Sequence, residues 1–297
     1  MSSLSLLPDA IVAGLCTGSV YGLVALGYNI TYNATGVFNL AQGDLVMVGL
    51  MLTWVAVSIL KLPYLLAFLG VVVIVSLISL IEERFVVRPF LVRREANIGW
   101  FISTLGFSIV IEAIALIWFG NHSIVPIPSF LPQSGFSVLG TLFVPRELLV
   151  LGALIVLSVG FEFFFKRTRM GLTMQATAED RQAAGLRGVN PIRIGQMGFL
   201  LGGLIAGVAG FVVAPLVSTS ISVGLSYSVK GFVALALGGF GNLRAGVIAA
   251  LLLGVAESVF DLFVGADYEI AVGLVILLVV LGLKPTGVSR SYAARQV

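Results

Sequence analysis

The sequence predicts an all-α fold, a polytopic transmembrane helix bundle of about 8–9 spans with at least one of them short or broken. Two observations predict it. Only 10% of the 297 residues are charged while 59% are hydrophobic, whereas a soluble domain carries about 25% charged residues. Apolar runs close to 20 residues also recur along the whole chain, the length a helix needs to cross a hydrocarbon core of roughly 30 Å. A third observation sets the fold class against its membrane alternative: the runs are continuous, not alternating as the strands of a membrane β-barrel would be.

The elements follow in order. Met1-Ser-Ser-Leu-Ser-Leu-Leu-Pro8 contains no Lys or Arg. It therefore lacks the basic start of a secretory signal peptide and reads as the lead-in to a first span that stays. Spans fall near 9–31, 44–60, 64–81, 99–120, 147–165, 194–217, 226–240, 246–262 and 268–283. The run near 226–240 is short and Gly-bearing, so it reads as a re-entrant or broken helix. Cys16 is the single cysteine; it excludes an intrachain disulfide and reads as a small buried apolar residue. Gly198, Gly202, Gly203, Gly207 and Gly210 have the small-residue spacing that lets helices approach closely.

Charge sets the expected orientation. One basic loop carries Arg84, Arg88, Arg93 and Arg94, and a second carries Lys166, Arg167, Arg169, Arg181, Arg187 and Arg193. With both loops cytoplasmic, nine alternating spans place the N-terminus in the periplasm and the C-terminal tail, with Lys284, Arg290 and Arg295, in the cytoplasm. Fourteen of the 17 basic residues are then inside, and Lys61, Arg146 and Lys230 are outside. This is the positive-inside bias, and it accounts for the net charge of +3 without nucleic acid. The loop near 121–146 is then external, with Pro126, Pro128, Pro132 and the single histidine, His122. No second His or clustered ligand gives His122 a metal partner, so no metal site is expected.

A carboxylate within a bilayer is a functional candidate by default, because it is costly unless paired or hydrated. Asp44 follows Asn39, Gln42 and Gly43 at the start of a span. Irregular backbone at membrane depth survives only against protein or a water-filled cavity, so these four read as lining the conduction path. The competing reading makes them a polar cap at the inner membrane surface, favoured by the helix dipole. Glu112 and Glu257 lie well inside their spans and read either as path residues or as braces between helices. Glu162, beside Lys166 and Arg167, reads as snorkelling to the surface. Tyr21, Asn29 and Tyr32 give the first span polar edges. Asn39-Leu-Ala-Gln-Gly43 and Asn242-Leu-Arg-Ala-Gly246 share N-L-x-x-G, the trace a duplicated transporter leaves in its two halves; five positions with three matches are also within chance.

The stretch Met170-Gly-Leu-Thr-Met-Gln-Ala-Thr-Ala-Glu-Asp-Arg-Gln-Ala-Ala-Gly-Leu-Arg-Gly-Val-Asn-Pro191 interrupts the apolar pattern. Thr177 and Asp180 form a capping-box-like start, residues 178–187 are mostly helix formers, and Gly188 suits a helix stop. Asn190-Pro191 then opens the next helix. Its small residues suit either docking into a groove of a cytoplasmic partner or lying on the headgroups.

Three separated stretches carry a resemblance. Ala178-Glu-Asp-Arg181, with Met174 before it and Leu186-x-Gly188-x-Asn190 after it, resembles the coupling loop of the branched-chain amino acid permease family of ABC importers. Gly36-Val-Phe-Asn-Leu-Ala-Gln-Gly-Asp-Leu-Val-Met-Val-Gly49 is similar to a second segment of that family. Lys230-Gly-Phe-Val-Ala-Leu-Ala-Leu-Gly-Gly-Phe-Gly241, with Gly246 and Gly254-x-x-Glu257, is similar to a third. The family's Arg before the loop motif is replaced by Leu172, Thr173 and Gln175, and its His-Gly-Glu by Gln42-Gly43-Asp44. The resemblance implies one transmembrane permease domain over 1–297, with a cytoplasmic coupling loop at about 166–193. It implies a multi-pass subunit of the bacterial inner membrane that passes branched-chain amino acids or related small polar solutes. Its partners would be ABC ATPase subunits, a second homologous permease subunit, a periplasmic solute-binding protein and the bilayer. Asn39, Gln42, Gly43, Asp44, Glu112 and Glu257 are the expected substrate path. Thr177, Ala178, Glu179, Asp180, Arg181, Ala184, Leu186 and Gly188 are the expected ATPase contact. None of the four lysines follows a glycine, so a Walker A phosphate loop is absent. The chain is therefore expected to bind no cofactor and to catalyse nothing itself, with ATP on partner subunits. The alternative is an ion-coupled secondary transporter or channel acting without an ATPase.

Overall fold

The computed structural model describes residues 6–93, 99–123, 126–128, 131, 134–138 and 141–265, with isolated positions at 273, 275, 278, 279 and 282. Within them run α1 (Leu7–Thr35), α2 (Gln42–Trp54), α3 (Tyr64–Glu82), α4 (Arg88–Arg93), α5 (Gly99–Phe119) and α6 (Pro145–Arg167). These are followed by α7 (Arg169–Glu179), α8 (Arg181–Leu186), α9 (Pro191–Val213), α10 (Ser222–Gly238) and α11 (Leu243–Val264). A hairpin of two three-residue strands, β1 (Phe136–Val138) and β2 (Thr141–Phe143), decorates the loop before α6. Seven helical stretches among the described residues are long and apolar enough to cross a membrane, so the chain is an all-α, multi-pass membrane protein. Apart from those isolated positions, the span expected near 268–283 lies outside the described residues, as do the tail with Lys284, Arg290 and Arg295, and also Arg94 and Pro132.

Helix ends follow the local signals. Pro8 occupies the first turn of α1, where its missing N–H costs nothing. Gly36 ends α1 in the left-handed region, φ 74°, with its N–H on the Tyr32 carbonyl, a conformation a side chain would strain. The α2 span continues through a π-helical turn at Val55–Ile59, and α3 passes through another at Glu83–Val87 into α4. The α10 helix has 17 residues, about 25 Å at 1.5 Å per residue, which is short of a full crossing.

The bundle has a centre and a rim. The apolar windows of α1 and α9 are 61% and 67% buried, whereas those of α5, α6 and α11 are 22% buried. Helices apolar all round that keep such exposure face lipid, as Ile117, Val156 and Leu252 do. Close approach at glycines fixes the central contacts. A methyl on Gly254 would strike the backbone of Gly18 and Gly14, and one on Gly210 would strike Gly49, so α11 lies against α1 and α9 against α2. Cys16 is half-buried, not buried as expected, because it lies in the N-terminal half of α1, where burial is less complete than over Gly18–Thr31.

Candidate functional site

The polar run Asn39–Asp44 sits deeper than its sequence position suggests. Beyond Gly36 the chain folds back, and Gln42 packs directly on Gly27 of α1. Gly27 lies eight residues before the end of that helix, about 12 Å by helical rise. The α2 helix therefore begins inside the bundle, away from the inner-surface position that the competing cap reading required. Asn39, Gln42 and Asp44 are each 0% exposed. Asn39 Oδ1 accepts the Ala41 N–H at 3.0 Å, and Asn39 Nδ2 donates to Glu82 Oε2 at 2.7 Å. Gln42 Nε2 donates to the Gly202 carbonyl at 3.0 Å, and the Gly43 N–H donates to Ser228 Oγ at 3.1 Å. Asp44 Oδ2 accepts from Ser108 Oγ. Glu112, one turn beyond Ser108 on the same face of α5, lies within electrostatic reach of Asp44. A lack of Cβ at Gly43 matters here, because a methyl would strike Gly224 and Ser228 of α10.

Three oxygens in this region, Gln42 Oε1, Asp44 Oδ1 and Glu82 Oε1, have no hydrogen-bond partner among the described residues. Buried acceptors left open are costly, and each of these three oxygens can still take a hydrogen from a donor. The break is braced on its cytoplasm-expected side by rings: Tyr32 stacks on Phe38 at 4.6 Å, Phe38 lies 4.9 Å from Phe240, and Trp100 and Phe232 complete the group.

Glu257 belongs elsewhere. It is 2% exposed, accepts from Tyr21 Oη at 2.9 Å and pairs with Lys230 Nζ at 3.2 Å. Lys230 also donates to Tyr21 Oη at 2.8 Å. Lys230 is only 7% exposed, so it is no outer-face charge; it is drawn into the bundle because Glu257 compensates it, as a buried cation requires. Of the six expected path residues, the structure gathers Asn39, Gln42, Gly43, Asp44 and Glu112 at the α2 break and sets Glu257 apart. Glu82, Ser108, Ser228 and the aromatic group were missed. Glu82 stands in the sequence just ahead of a basic stretch that masks it, and the serines carry no distinctive sequence signal, although Ser108 shares a face with Glu112. Glu162 does not merely snorkel, since it pairs with Lys166 at 2.6 Å and with Arg244 of α11.

The interrupting loop is two helices. Thr168 caps α7, accepting from the Gly171 N–H at 3.0 Å, so the helix starts well before the expected Thr177. Thr177 lies inside α7, fully buried, with its hydroxyl on the Thr173 carbonyl. Asp180 is the true cap of α8, accepting from the Gln182 and Ala183 N–H groups at 2.8 and 2.9 Å. The capping-box reading fails because Thr177 satisfies itself four residues back while Asp180 has the extended backbone of a cap. Gly188 turns with φ 84°, and Asn190 caps α9 ahead of Pro191. Among the expected contact residues, Glu179, Asp180, Leu186 and Gly188 are exposed, Ala178 and Arg181 half-buried, and Thr177 and Ala184 buried. Leu186 is 91% exposed. Among the described residues no group of three or more His, Cys, Asp or Glu is arranged to hold a metal.

A family described as "Branched-chain amino acid transport system / permease component" matches residues 10–281. The permease protein BraD of Pseudomonas aeruginosa, named for high-affinity branched-chain amino acid transport, is 29% identical over 94% of each chain. LivH of Salmonella typhimurium, named for the same kind of system, is 29% identical over 93% of this chain and 92% of its own. The solved structure of PsaBC from Streptococcus pneumoniae with a Fab covers 90% of this chain and 86% of that one, at 17% identity and a TM-score of 0.46. With nearly its whole length matched, the chain belongs to the family of permease components of branched-chain amino acid transport systems.

Proposed function

We propose that this permease subunit forms the transmembrane path of an ATP-driven ABC importer for branched-chain amino acids or related small polar solutes. The observation that carries the reading is the α7–α8 loop, where Leu186 stands 91% exposed and Leu172 51% exposed on otherwise polar helices. Apolar side chains presented this way on a capped, rigid turn suit a groove on a partner. ATP binding and hydrolysis belong to ATPase subunits that seat this loop, and the chain itself binds no cofactor. A second homologous permease subunit and a periplasmic solute-binding protein complete the assembly. The loop faces the cytoplasm and the N-terminus the periplasm. The fourteen-to-three charge asymmetry of the sequence becomes fourteen to two, Lys61 and Arg146, once Lys230 is counted as internal, which strengthens the orientation.

On this reading the path runs past Asn39, Gln42, Gly43, Asp44 and Glu112, whose open acceptors suit an ammonium-bearing solute. Glu257, paired with Lys230, holds α1, α10 and α11 together. Reconstitution tests the proposal. Liposomes holding the chain with co-purified ATPases and binding protein are expected to accumulate leucine, isoleucine or valine only with ATP. Uptake by the chain alone, driven by an ion gradient, would replace the importer reading with that of a secondary transporter.

A further inference from the structure

The two N-L-x-x-G stretches occupy matching places. Asn39–Gly43 leads into α2 and lies against α1 at Gly27, where Gln42 packs. Asn242–Gly246 leads into α11, with Asn242 Oδ1 accepting the Ala245 N–H at 3.2 Å. The turn just before it lies against α1 two residues further on. There Asn29 Oδ1 accepts the Gly241 N–H at 2.9 Å, and Asn33 Nδ2 donates to the Gly241 carbonyl at 3.4 Å. Gly239 and Gly241 give this turn two positive φ angles, 92° and 81°, which a side chain would strain. Phe240 between them meets Phe38 of the first break at 4.9 Å.

Asn29 keeps one polar atom open. The residue is 1% exposed; its bond from the Gly241 N–H fixes which way the amide points, and Nδ2 has no hydrogen-bond partner among the described residues. That nitrogen faces the buried Gly246 in the first turn of α11. A methyl on Gly246 would stand 2.9 Å from Nδ2 and, among the described residues beyond its own turn of helix, would meet nothing else within 4 Å. Such a separation is too close for carbon but is the ordinary length of an N–H···O bond. The hollow therefore fits an oxygen. It also lies at the N-terminal end of a 22-residue helix, where the backbone dipoles favour an anion.

We infer that Asn29 and the bare Cα of Gly246 receive the solute's carboxylate, one of its oxygens entering the hollow and accepting from Asn29 Nδ2. The inference deepens the proposed importer and rests on it. Complementarity carries it: the Asn39–Asp44 break presents open acceptors, Gln42 Oε1 and Asp44 Oδ1, and the Gly239–Gly246 break faces an open donor. An amino acid brings both counterparts, an ammonium and a carboxylate. Arg244 is no rival for the carboxylate, because its side chain is 71% exposed and held by Glu162.

The test is competition against labelled leucine on the permease–ATPase complex in nanodiscs, without the binding protein, which reads the solute itself. Leucinamide keeps the ammonium and lacks the carboxylate. Wild type is expected to prefer leucine over leucinamide by about ten- to hundredfold, the range for one charge-assisted hydrogen bond. Asn29→Asp keeps an acceptor for the Gly241 N–H and sets a carboxylate against the solute's own. It is expected to lose leucine affinity by that factor, spare leucinamide and bring the preference close to one. Gly246→Ala fills the hollow from the α11 side with the same expected result, and it decides the matter if Asn29→Asp does not assemble. A preference that survives the substitution, losses equal for the two ligands, or a wild type with no preference would each overturn the carboxylate site. ATP-driven leucine uptake by wild-type proteoliposomes is measured alongside. Its absence would overturn the importer reading, and the site with it.

Discussion

The side-chain amide of Gln42 lies on the bare Cα of Gly27 and donates to the carbonyl of Gly202, 160 residues away, at 3.0 Å. One side chain thus joins the start of α2 to both central helices, α1 and α9. This geometry depends on hydrogen at two Cα positions, because a methyl at Gly202 would press on Thr31 and one at Gly27 on the Gln42 amide.

Gly27→Ala should therefore expel the Gln42 amide. Overpacking of this kind costs about 1–3 kcal/mol, read as a lower melting temperature in detergent with a loss of uptake. Adding Gln42→Ser to the Gly27→Ala background should restore the melting temperature by making room. If Gln42 lines the path, uptake should stay low in the double variant. Full recovery of uptake would reduce Gln42 to a packing residue.

The Lys230–Glu257 pair predicts a different pattern. Glu257→Leu alone takes the compensating carboxylate from a buried ammonium that sits beside the Tyr21 hydroxyl and ring, a loss of about 3–5 kcal/mol. Lys230→Met alone takes the cation from Glu257 at similar cost. The double variant should recover most of the stability, since an apolar pair removes both desolvation penalties. Thermal unfolding of all four proteins closes the cycle, and additive losses would show that the two charges do not depend on each other.

How much of this was legible in the sequence depends on what sets each feature. Spans were legible because lipid imposes a length and a composition on every crossing helix, and Pro8, Asn190-Pro191 and Gly188 act through their own backbone. Depth was not. In the sequence Asn39–Asp44 reads equally as path lining or as a surface cap until α1 and α9 are placed around it, and Lys230 reads as an outer charge until Glu257, 27 residues on, and Tyr21, 209 residues back, are found beside it. Glu82 was hidden among the arginines that follow it, although its partner Asn39 lies only 43 residues away. Pairings of this kind belong to tertiary contact and leave no periodic mark.

Glycines divide into two kinds that stability measurements should separate. Gly152 and Gly160 in α6 have open space where a Cβ would stand, and Gly254 in α11 has the backbone of Gly14 and Gly18 there. Alanine at 152 or 160 should stabilise by about 0.5–1 kcal/mol through helix propensity alone. Alanine at 254 should destabilise, because α1 and α11 cannot stay in contact. Equal melting shifts at the three positions would mean that the α1–α11 contact is looser than the structure has it.

The α8 tip offers the sharpest separation of docking from folding. Leu186 is 91% exposed, so Leu186→Asp should leave the melting temperature of the isolated chain unchanged; on the importer reading, it should release the ATPase subunits in a pull-down. Asp180→Ala acts through structure instead. It removes the acceptor for the Gln182 and Ala183 N–H groups, at a typical cost of about 1 kcal/mol for a lost cap. Amide hydrogen exchange should therefore rise within α8 while the spans stay protected. Retention of the ATPases should then be partial, because Leu186 is still present but no longer held in place. If Leu186→Asp keeps full retention while Asp180→Ala loses it, the partner reads the acidic turn and not the apolar tip, and the docking surface must be redrawn around Glu179 and Asp180.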